Sequence, residues 1–300
     1  MDLVTACKNG DIQSVRVLLK DPGVNPADDH NQAIIQASAH GHEDIVRLLM
    51  ADPRVNPADE NSIALYWAAI NGYDRVVRLL LNDPRINPVM SFLEACEEGQ
   101  TESVRILLAD PRVDPAVNHN QAIIKASSNG HVEIVRLLMA DPQVNPADGN
   151  SEAIYWATIN GYPEVVRLLL KDPRINPVNA FRAANQEGQP YIARLLENDL
   201  RVAMFYNNQV WIRRYVESNI ERPPRGSLVY TMGNAVSRRL LNELYTQKAL
   251  RQYQASKNKG LPIDIARMIS RYGKKSKRPL LKKVASKKSS TTFKKSGVKK

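Results

Sequence analysis

The chain has 300 residues, 43% of them apolar, a formal net charge of +11 and two cysteines. It is long enough to bury a core, too poor in cysteine for a disulfide framework, and free of any apolar run near the roughly 18 residues of a membrane span or of a secretory segment after Met1-Asp2. A soluble intracellular protein outside the membrane is expected, with its charge divided: 17 basic and 27 acidic side chains over 1–199, thirteen and four over 200–273, and twelve basic with no acid over 274–300.

From about Leu3 the sequence reads as one short motif written repeatedly. Its fullest form is Gln32 to Pro57, QAIIQASAHGHEDIVRLLMADPRVNP. Ala33, Ile34, Ala37 and Ser38 share one side of a predicted helix whose small residues allow close packing. Gly41 breaks it. Ile45, Val46, Leu48 and Leu49 form the apolar arc of a second helix, with Arg47 opposite and facing water. Asp52-Pro53 stops that helix, because proline donates no N–H and clashes with the preceding turn. Arg54 to Asp59 follows as an extended hairpin arm.

Asp-Pro recurs at Asp21, Asp52, Asp83, Asp110, Asp141 and Asp172, with Asp199-Leu200 as a degenerate seventh, in steps of 31, 31, 27, 31, 31 and 27 residues. The glycines Gly10, Gly41, Gly72, Gly99, Gly130, Gly161 and Gly188 repeat the same steps. Three repeats therefore make a block of 89 residues, and Gln32-Ala33-Ile34-Ile35 returns at Gln121, as Tyr66-Trp67-Ala68 returns at Tyr155. A three-repeat block is duplicated.

The helix, the glycine, the run Gly41-His42-x-x-Ile45-Val46-x-Leu48-Leu49 and the arm Val55-Asn56-Pro57-Ala58-Asp59 at this period resemble the ankyrin repeat. The resemblance covers residues 1–199 and implies an all-α fold, an ankyrin-repeat solenoid of helix pairs with short hairpin arms. It departs from the family pattern in lacking Thr-Pro-Leu-His and in using Asp-Pro where Gly-Ala is usual. Arms of the Asp-Pro-Arg-Val-Asn-Pro type resemble those of multi-repeat ankyrin proteins of large DNA viruses of amoebae, which implies a virus–host interaction role. Fingers and first helices line a concave groove in this family, so a monomeric, non-enzymatic scaffold with a protein partner in that groove is implied. The groove residues would be His40, Asn71, Glu98, Asn129 and Asn160 before the inter-helix glycines, with Asp59, Glu60 and Asp148 at the finger tips.

The tips, such as Asp28-Asp29-His30-Asn31 and Asp148-Gly149-Asn150-Ser151, close on Asn or Ser where an N-cap would stand, taking an orphan helix N–H. The 27-residue steps arise because Asn87-Pro88-Val89-Met90 and Asn176-Pro177-Val178-Asn179 lack four arm residues. Every third finger is missing, leaving a notch between two groups of two.

Repeat seven, Phe181 to Leu196, reads as the capping unit. A helical extension occupies 200–256, with predicted helices over Val210–Ile220 and Asn234–Ala255. Residues 257–273 contain Leu261-Pro262-Ile263-Asp264-Ile265, with Ile269 four places on. This resembles the opening of an F-box, a segment that poxvirus ankyrin proteins carry in shortened form. The resemblance implies that Leu261, Pro262, Ile265 and Ile269 face a Skp1-like ligase subunit; the other reading is a short helix docking on residues 234–255. Residues 274–300 form a Lys-rich tail without core-forming side chains, expected to be disordered. In it Lys274, Lys275, Lys277 and Arg278 fit a nuclear-localisation pattern, and the Lys pairs could bind nucleic acid or phosphate weakly; a solvated tail is the alternative.

Among chemistry-bearing residues, His40 and His42 lie close together, but no Cys or carboxylate set accompanies them at zinc-ligand spacing. No metal, cofactor or catalytic set is expected. Cys7 and Cys96 occupy one repeat position three units apart, beyond the roughly 7 Å a disulfide spans. Trp67 and Trp156 stand where other repeats hold Thr5, Gln36, Glu94 and Lys125, a position that tolerates water. They are either seam-filling aromatics between repeats or anchors for a partner.

Overall fold

The computed structural model describes residues 1–206, 208–218, 233 and 235–255, and these hold helices and turns with no strand. The fold is all-α. In chain order the helices are α1 Leu3–Asn9, α2 Ile12–Leu18, α3 Asp28–Ala39, α4 Glu43–Met50, α5 Asp59–Ile70, α6 Asp74–Leu81, α7 Val89–Glu98, α8 Thr101–Leu108, α9 Val117–Ser128, α10 Val132–Met139, α11 Asp148–Ile159, α12 Pro163–Leu169, α13 Val178–Gln186, α14 Pro190–Glu197, α15 Leu200–Phe205, α16 Gln209–Ser218 and α17 Ala235–Ala255. Two compact units result, Met1–Ile192 and Ala193–Lys300.

In the first unit the odd helices α1 to α13 form one row, each packed on the next, and the even helices α2 to α12 form a second row paired with it. The second-row helices α2 to α12 all have only seven or eight residues, too short to persist alone in water, so stacking supplies their stability. Ile45, Val46 and Leu49 of α4 are buried and Arg47 is exposed, the arc the spacing requires. Ala33 and Ala37, Ala64 and Ala68, Ala122 and Ala126, Ala153 and Ala157 are all buried, and these small residues let successive first-row helices approach.

Each helix pair turns at a left-handed glycine. At Gly41, with φ +72°, an added Cβ would lie 2.5 Å from the Tyr73 ring, so both backbone and space demand glycine. The next residue runs His42, Tyr73, Gln100, His131, Tyr162, Gln189, returning with the block. His42 Nε2–H donates to Lys8 O (2.9 Å), His131 Nε2–H to Glu97 O (2.7 Å) and Gln100 Nε2 to Ile70 O (2.8 Å), tying each repeat to the preceding one.

The arms differ from the expected extended hairpins: among the described residues they are tight turns. In each Asp-Pro-x turn the aspartate accepts the backbone N–H two residues on, as Asp21 does from Gly23 (2.8 Å) and Asp141 from Gln143 (2.8 Å). Where that residue is arginine, its guanidinium also closes on the aspartate, in Asp52–Arg54, Asp83–Arg85, Asp110–Arg112 and Asp172–Arg174. In three of the four, all but Arg85, the guanidinium also reaches backward. Arg54 Nη1 donates to Val24 O (3.1 Å) and Arg174 Nη2 to Val144 O (3.2 Å), while Arg112 donates to Leu81 O (2.8 Å), Asp83 O (3.1 Å) and Ile86 O (3.1 Å).

The finger tips are single left-handed turns. Asp29, His30 and Asn31 have φ of 48°, 56° and 61°, and Glu60–Ser62, Asn118–Asn120 and Gly149–Ser151 repeat them. Left-handed backbone costs an ordinary residue about 1–2 kcal/mol, and Asn, Asp and Gly fill most of these places. The closing Asn or Ser does not cap its own helix as expected. It is buried, and its oxygen accepts a backbone N–H of the next arm: Asn31 from Asn56 (2.8 Å), Ser62 from Asn87 (2.9 Å), Asn120 from Asn145 (2.7 Å) and Ser151 from Asn176 (2.9 Å). The N–H groups of the turn instead follow a helical path: Asn31 N donates to Ala27 O (3.1 Å).

In the second unit Asp199-Leu200 does not simply end the seventh repeat. Asp199 caps α15 by accepting from Arg201 N, and the buried Arg201 guanidinium pairs with Asp199 at 2.7 Å. Leu200, Ala203, Met204, Ile212, Val216, Leu241 and Tyr245 join α15, α16 and α17 in one core. Lys248 Nζ donates to Val216 O (2.6 Å) and Glu217 O (2.8 Å), a cation at the carbonyl end of α16. The F-box-like residues Leu261, Pro262, Ile265 and Ile269, and the tail with Lys274, Lys275, Lys277 and Arg278, lie outside the described residues.

Candidate protein-docking face

One position of the first-row helices carries, in succession, Thr5, Gln36, Trp67, Glu94, Lys125, Trp156 and Ala183. Trp67 is 38% exposed and Trp156 42%, so neither indole is sealed into the seam between repeats. Each meets its neighbouring tyrosine edge-on, Tyr66 at 5.4 Å and Tyr155 at 5.5 Å between ring centroids. Between the two tryptophans Lys125 Nζ donates to Glu94 (3.0 Å) and to Glu97. Partial burial opposes the charge on Lys125, but these carboxylates outweigh it and raise its pKa above the ordinary lysine value.

His40, Asn71, Glu98, Asn129 and Asn160 are all exposed beside this row. Two of them also join repeats: Asn71 Nδ2 donates to Ala39 O (3.3 Å) and Asn160 Nδ2 to Ser128 O (2.6 Å). Asn129 bonds within its own helix, to Lys125 O, as His40 does at Gln36 O. Asp59 and Asp148 work inside the fingers, each accepting from the preceding tip asparagine, Asn31 or Asn120, at 2.8 Å. That hydrogen bond is the main reason the Asp148 carboxyl sits below the usual carboxylate range. Glu60 is exposed at its tip, with Asp28, Asp29, His30 and Asn61.

Where the second short arm runs straight into α13, a cavity of about 410 Å³ opens, lined by Gly149, Asn150, Glu152, Tyr155, Arg182 and Gln186. The corresponding first short arm presents Met90, 51% exposed. A further open cavity of about 570 Å³ lies at the inter-helix turns of the first three repeats, among Gly41, His42, Gly72, Tyr73, Asp74 and Arg75. Sequence reasoning missed it; the signal was the aromatic or amide after each glycine, whose partner lies some thirty residues back. Among the described residues no three His, Cys, Asp or Glu side chains are grouped to hold a metal, and no helix is long and apolar enough to cross a membrane. Cys7 and Cys96 are buried free thiols.

The model of the family described as ankyrin repeats in three copies matches the chain twice, over residues 3–90 and 92–179. The chain belongs to the ankyrin-repeat family. The two matches start 89 residues apart and so fall on the duplicated block. Among solved structures, the ankyrin repeat domain of human ASB11 is similar at 17% identity and a TM-score of 0.54, covering 65% of this chain and 97% of that one. An ankyrin repeat domain from Acinetobacter baumannii AYE is similar at 26% identity and a TM-score of 0.45, covering 56% and 96%. No curated protein matches the chain. Ankyrin repeats are protein-interaction modules and typically not enzymes, so the array is a protein-interaction scaffold.

Proposed function

We propose that the exposed side of the first-row helices, with the finger tips, binds a protein partner of basic or mixed charge. The observation that carries this reading is the pair of half-exposed tryptophans at a row position that elsewhere holds Thr5, Gln36, Glu94, Lys125 and the buried Ala183, since tryptophan is enriched among interface anchors. Glu60, Glu98, His40, Asn71, Asn129, Asn160 and the tips with Asp59 and Asp148 form its polar rim, and the acidic excess of residues 1–199 favours a cationic partner by steering and charge matching. Affinity capture from cells, with the full chain and with a chain lacking residues 274–300, tests it. Retention of the same partners by the shortened chain is expected; loss of every partner with the tail would place binding there instead.

A second reading assigns the chain an adaptor role on the strength of Leu261-Pro262-Ile263-Asp264-Ile265. The solenoid would select a protein of the host cell, as the likeness to viral ankyrin proteins suggests, while Leu261, Pro262, Ile265 and Ile269 engage a Skp1-like ligase subunit. Unchanged ligase co-purification by Leu261→Ala with Ile265→Ala removes it. A tail acting on nucleic acid through Lys274, Lys275, Lys277, Arg278 and the later Lys pairs requires binding that collapses between low and moderate salt.

A further inference from the structure

Resting on the docking reading above, we infer that Trp67 and Trp156 are two copies of one anchor site, and that the partner is an extended basic segment carrying two apolar side chains spaced to reach both. The tryptophans occupy one helix position in equivalent repeats of the two blocks, are exposed to nearly the same degree, and make the same edge-on contact with the preceding tyrosine. Each is followed by a repeat whose arm lacks the finger; an exposed Met90 opens the short arm after Trp67, and a cavity of about 410 Å³ lined by Tyr155, the residue before Trp156, and by Ala183, the next residue of the row, opens at the second short arm. The intervening positions of the row, Glu94 and Lys125, neutralise one another and leave Glu97 in excess, which makes the path between the anchors polar and slightly acidic.

Charge selects the occupant. Residues 1–199 carry ten more acidic than basic side chains, and Glu60 on the finger tip that opens α5 and Glu98 at the end of α7 stand exposed. A segment with Lys or Arg between its apolar anchors therefore matches the face, and an acidic one is repelled. Packed helices lie about 8–10 Å apart, so three repeats separate the indoles by roughly 24–30 Å. Extended chain advances about 3.3 Å per residue, which places the two apolar residues about eight positions apart. A single chain filling both sites gains avidity of about 10²-fold or more over either site alone.

The test uses the full chain and synthetic Lys/Ser peptides bearing two leucines 4, 8, 12 or 18 positions apart, a one-leucine peptide, and a Glu/Ser peptide with leucines eight apart. Affinity is read by calorimetry at low and moderate salt. The eight-spaced basic peptide is expected to bind at least tenfold more tightly than the one-leucine peptide. Trp67→Ala and Trp156→Ala should each reduce it to the one-leucine level, with unchanged far-UV circular dichroism. Equal affinity at every spacing, an optimum at 18 as a helix would require, preference for the acidic peptide, or indifference to both substitutions overturns the inference. If basic peptides bind without spacing dependence but weaken on Glu60→Lys with Glu98→Lys, the docking face survives and the paired anchors do not. If no peptide binds, the inference falls; if cellular capture also ignores both tryptophans, the docking reading falls with it.

Discussion

Arg112 is the strongest tie across the middle of the repeat array, and its removal gives a graded test of how the arms are joined. Full fingers hand a tip Asn or Ser to the next arm, but the short arm after Ile86 has no such residue to offer repeat five. Arg112 bridges that junction instead, donating to the carbonyls of Leu81, Asp83 and Ile86 and closing on Asp110 at 2.6 and 2.8 Å. Its side chain is 30% exposed, so the carbonyls it leaves regain water only in part. Hydrogen bonds from a charged donor contribute about 1.5–3 kcal/mol net, and because the three share one partly exposed guanidinium and do not add fully, Arg112→Ala should cost about 3 kcal/mol. Arg174, with one carbonyl, should cost about 1 kcal/mol, and Arg54, which also reaches one carbonyl, should cost no more than Arg174. Arg85 closes only on Asp83 and, as an exposed pair, should cost well under 1 kcal/mol. Urea unfolding followed by circular dichroism ranks the four alanine variants. Because repeats touch only neighbours, weakening one central junction should also split or broaden the transition for Arg112→Ala. Equal losses for Arg112→Ala and Arg85→Ala would show that the backward carbonyl bonds contribute nothing.

Acid should weaken the same turns. The arginine hydrogen bonds hold the Asp52, Asp83 and Asp110 carboxyls below the value of 3.8 of a free aspartate, so their contribution is complete above that value and is lost as pH falls through the lower folded values. Urea midpoints measured from pH 5 to pH 2.5 should drop, and Asp83→Asn with Asp110→Asn should flatten that drop; an unchanged slope counts against the linkage. The hydroxyls of Ser38 and Ser127 are buried without a partner, whereas Thr158 one repeat beyond Ser127 donates to Ile154 O at 2.7 Å. Ser38→Ala and Ser127→Ala should each be neutral or stabilise by about 1 kcal/mol and Thr158→Ala should destabilise, a sign difference that thermal melts can read. Burial pushes the Cys7 thiol up to about 12 and the Cys96 thiol up as well, so neither should react with a thiol reagent at pH 8 until the protein unfolds. Rapid native labelling of Cys96, by intact-mass spectrometry, would contradict its placement in the core.

The helix pairs were legible because their signals are local: apolar residues three and four apart, a glycine that accepts φ near +70° without strain, and a proline that ends the second helix. What the sequence hid acts at a distance. Asn31 looks like a cap because caps are read from the next three residues, yet its acceptor works on Asn56, 25 residues on. Asp-Pro-Arg reads as a helix stop, while its arginine is spent on carbonyls about 30 residues back. Asp59 and Asp148, chosen for a partner because they are acidic and at tips, have an oxygen engaged by the preceding finger. Trp67 and Trp156 could be packing or anchoring from sequence alone, since one helix position says nothing of how far the adjoining repeats cover it. After Asp199 the period is lost, and with it the internal comparison that made every earlier residue readable.

The 89-residue block has a consequence for how this protein could shrink or grow. A seam between blocks is the same chemical joint wherever it falls: Ser62 meets Asn87 at 2.9 Å and Ser151 meets Asn176 at 2.9 Å, and each short arm leads into a helix that opens toward a phenylalanine, Phe92 or Phe181. A chain excised from 92 through 180 would thus rejoin surfaces that already fit, and a chain with a third block inserted would meet no new interface. Recombination between the two halves of its own gene therefore has a spacing of 89 residues at which every joint is preserved, and the array can change its reach in steps of three repeats.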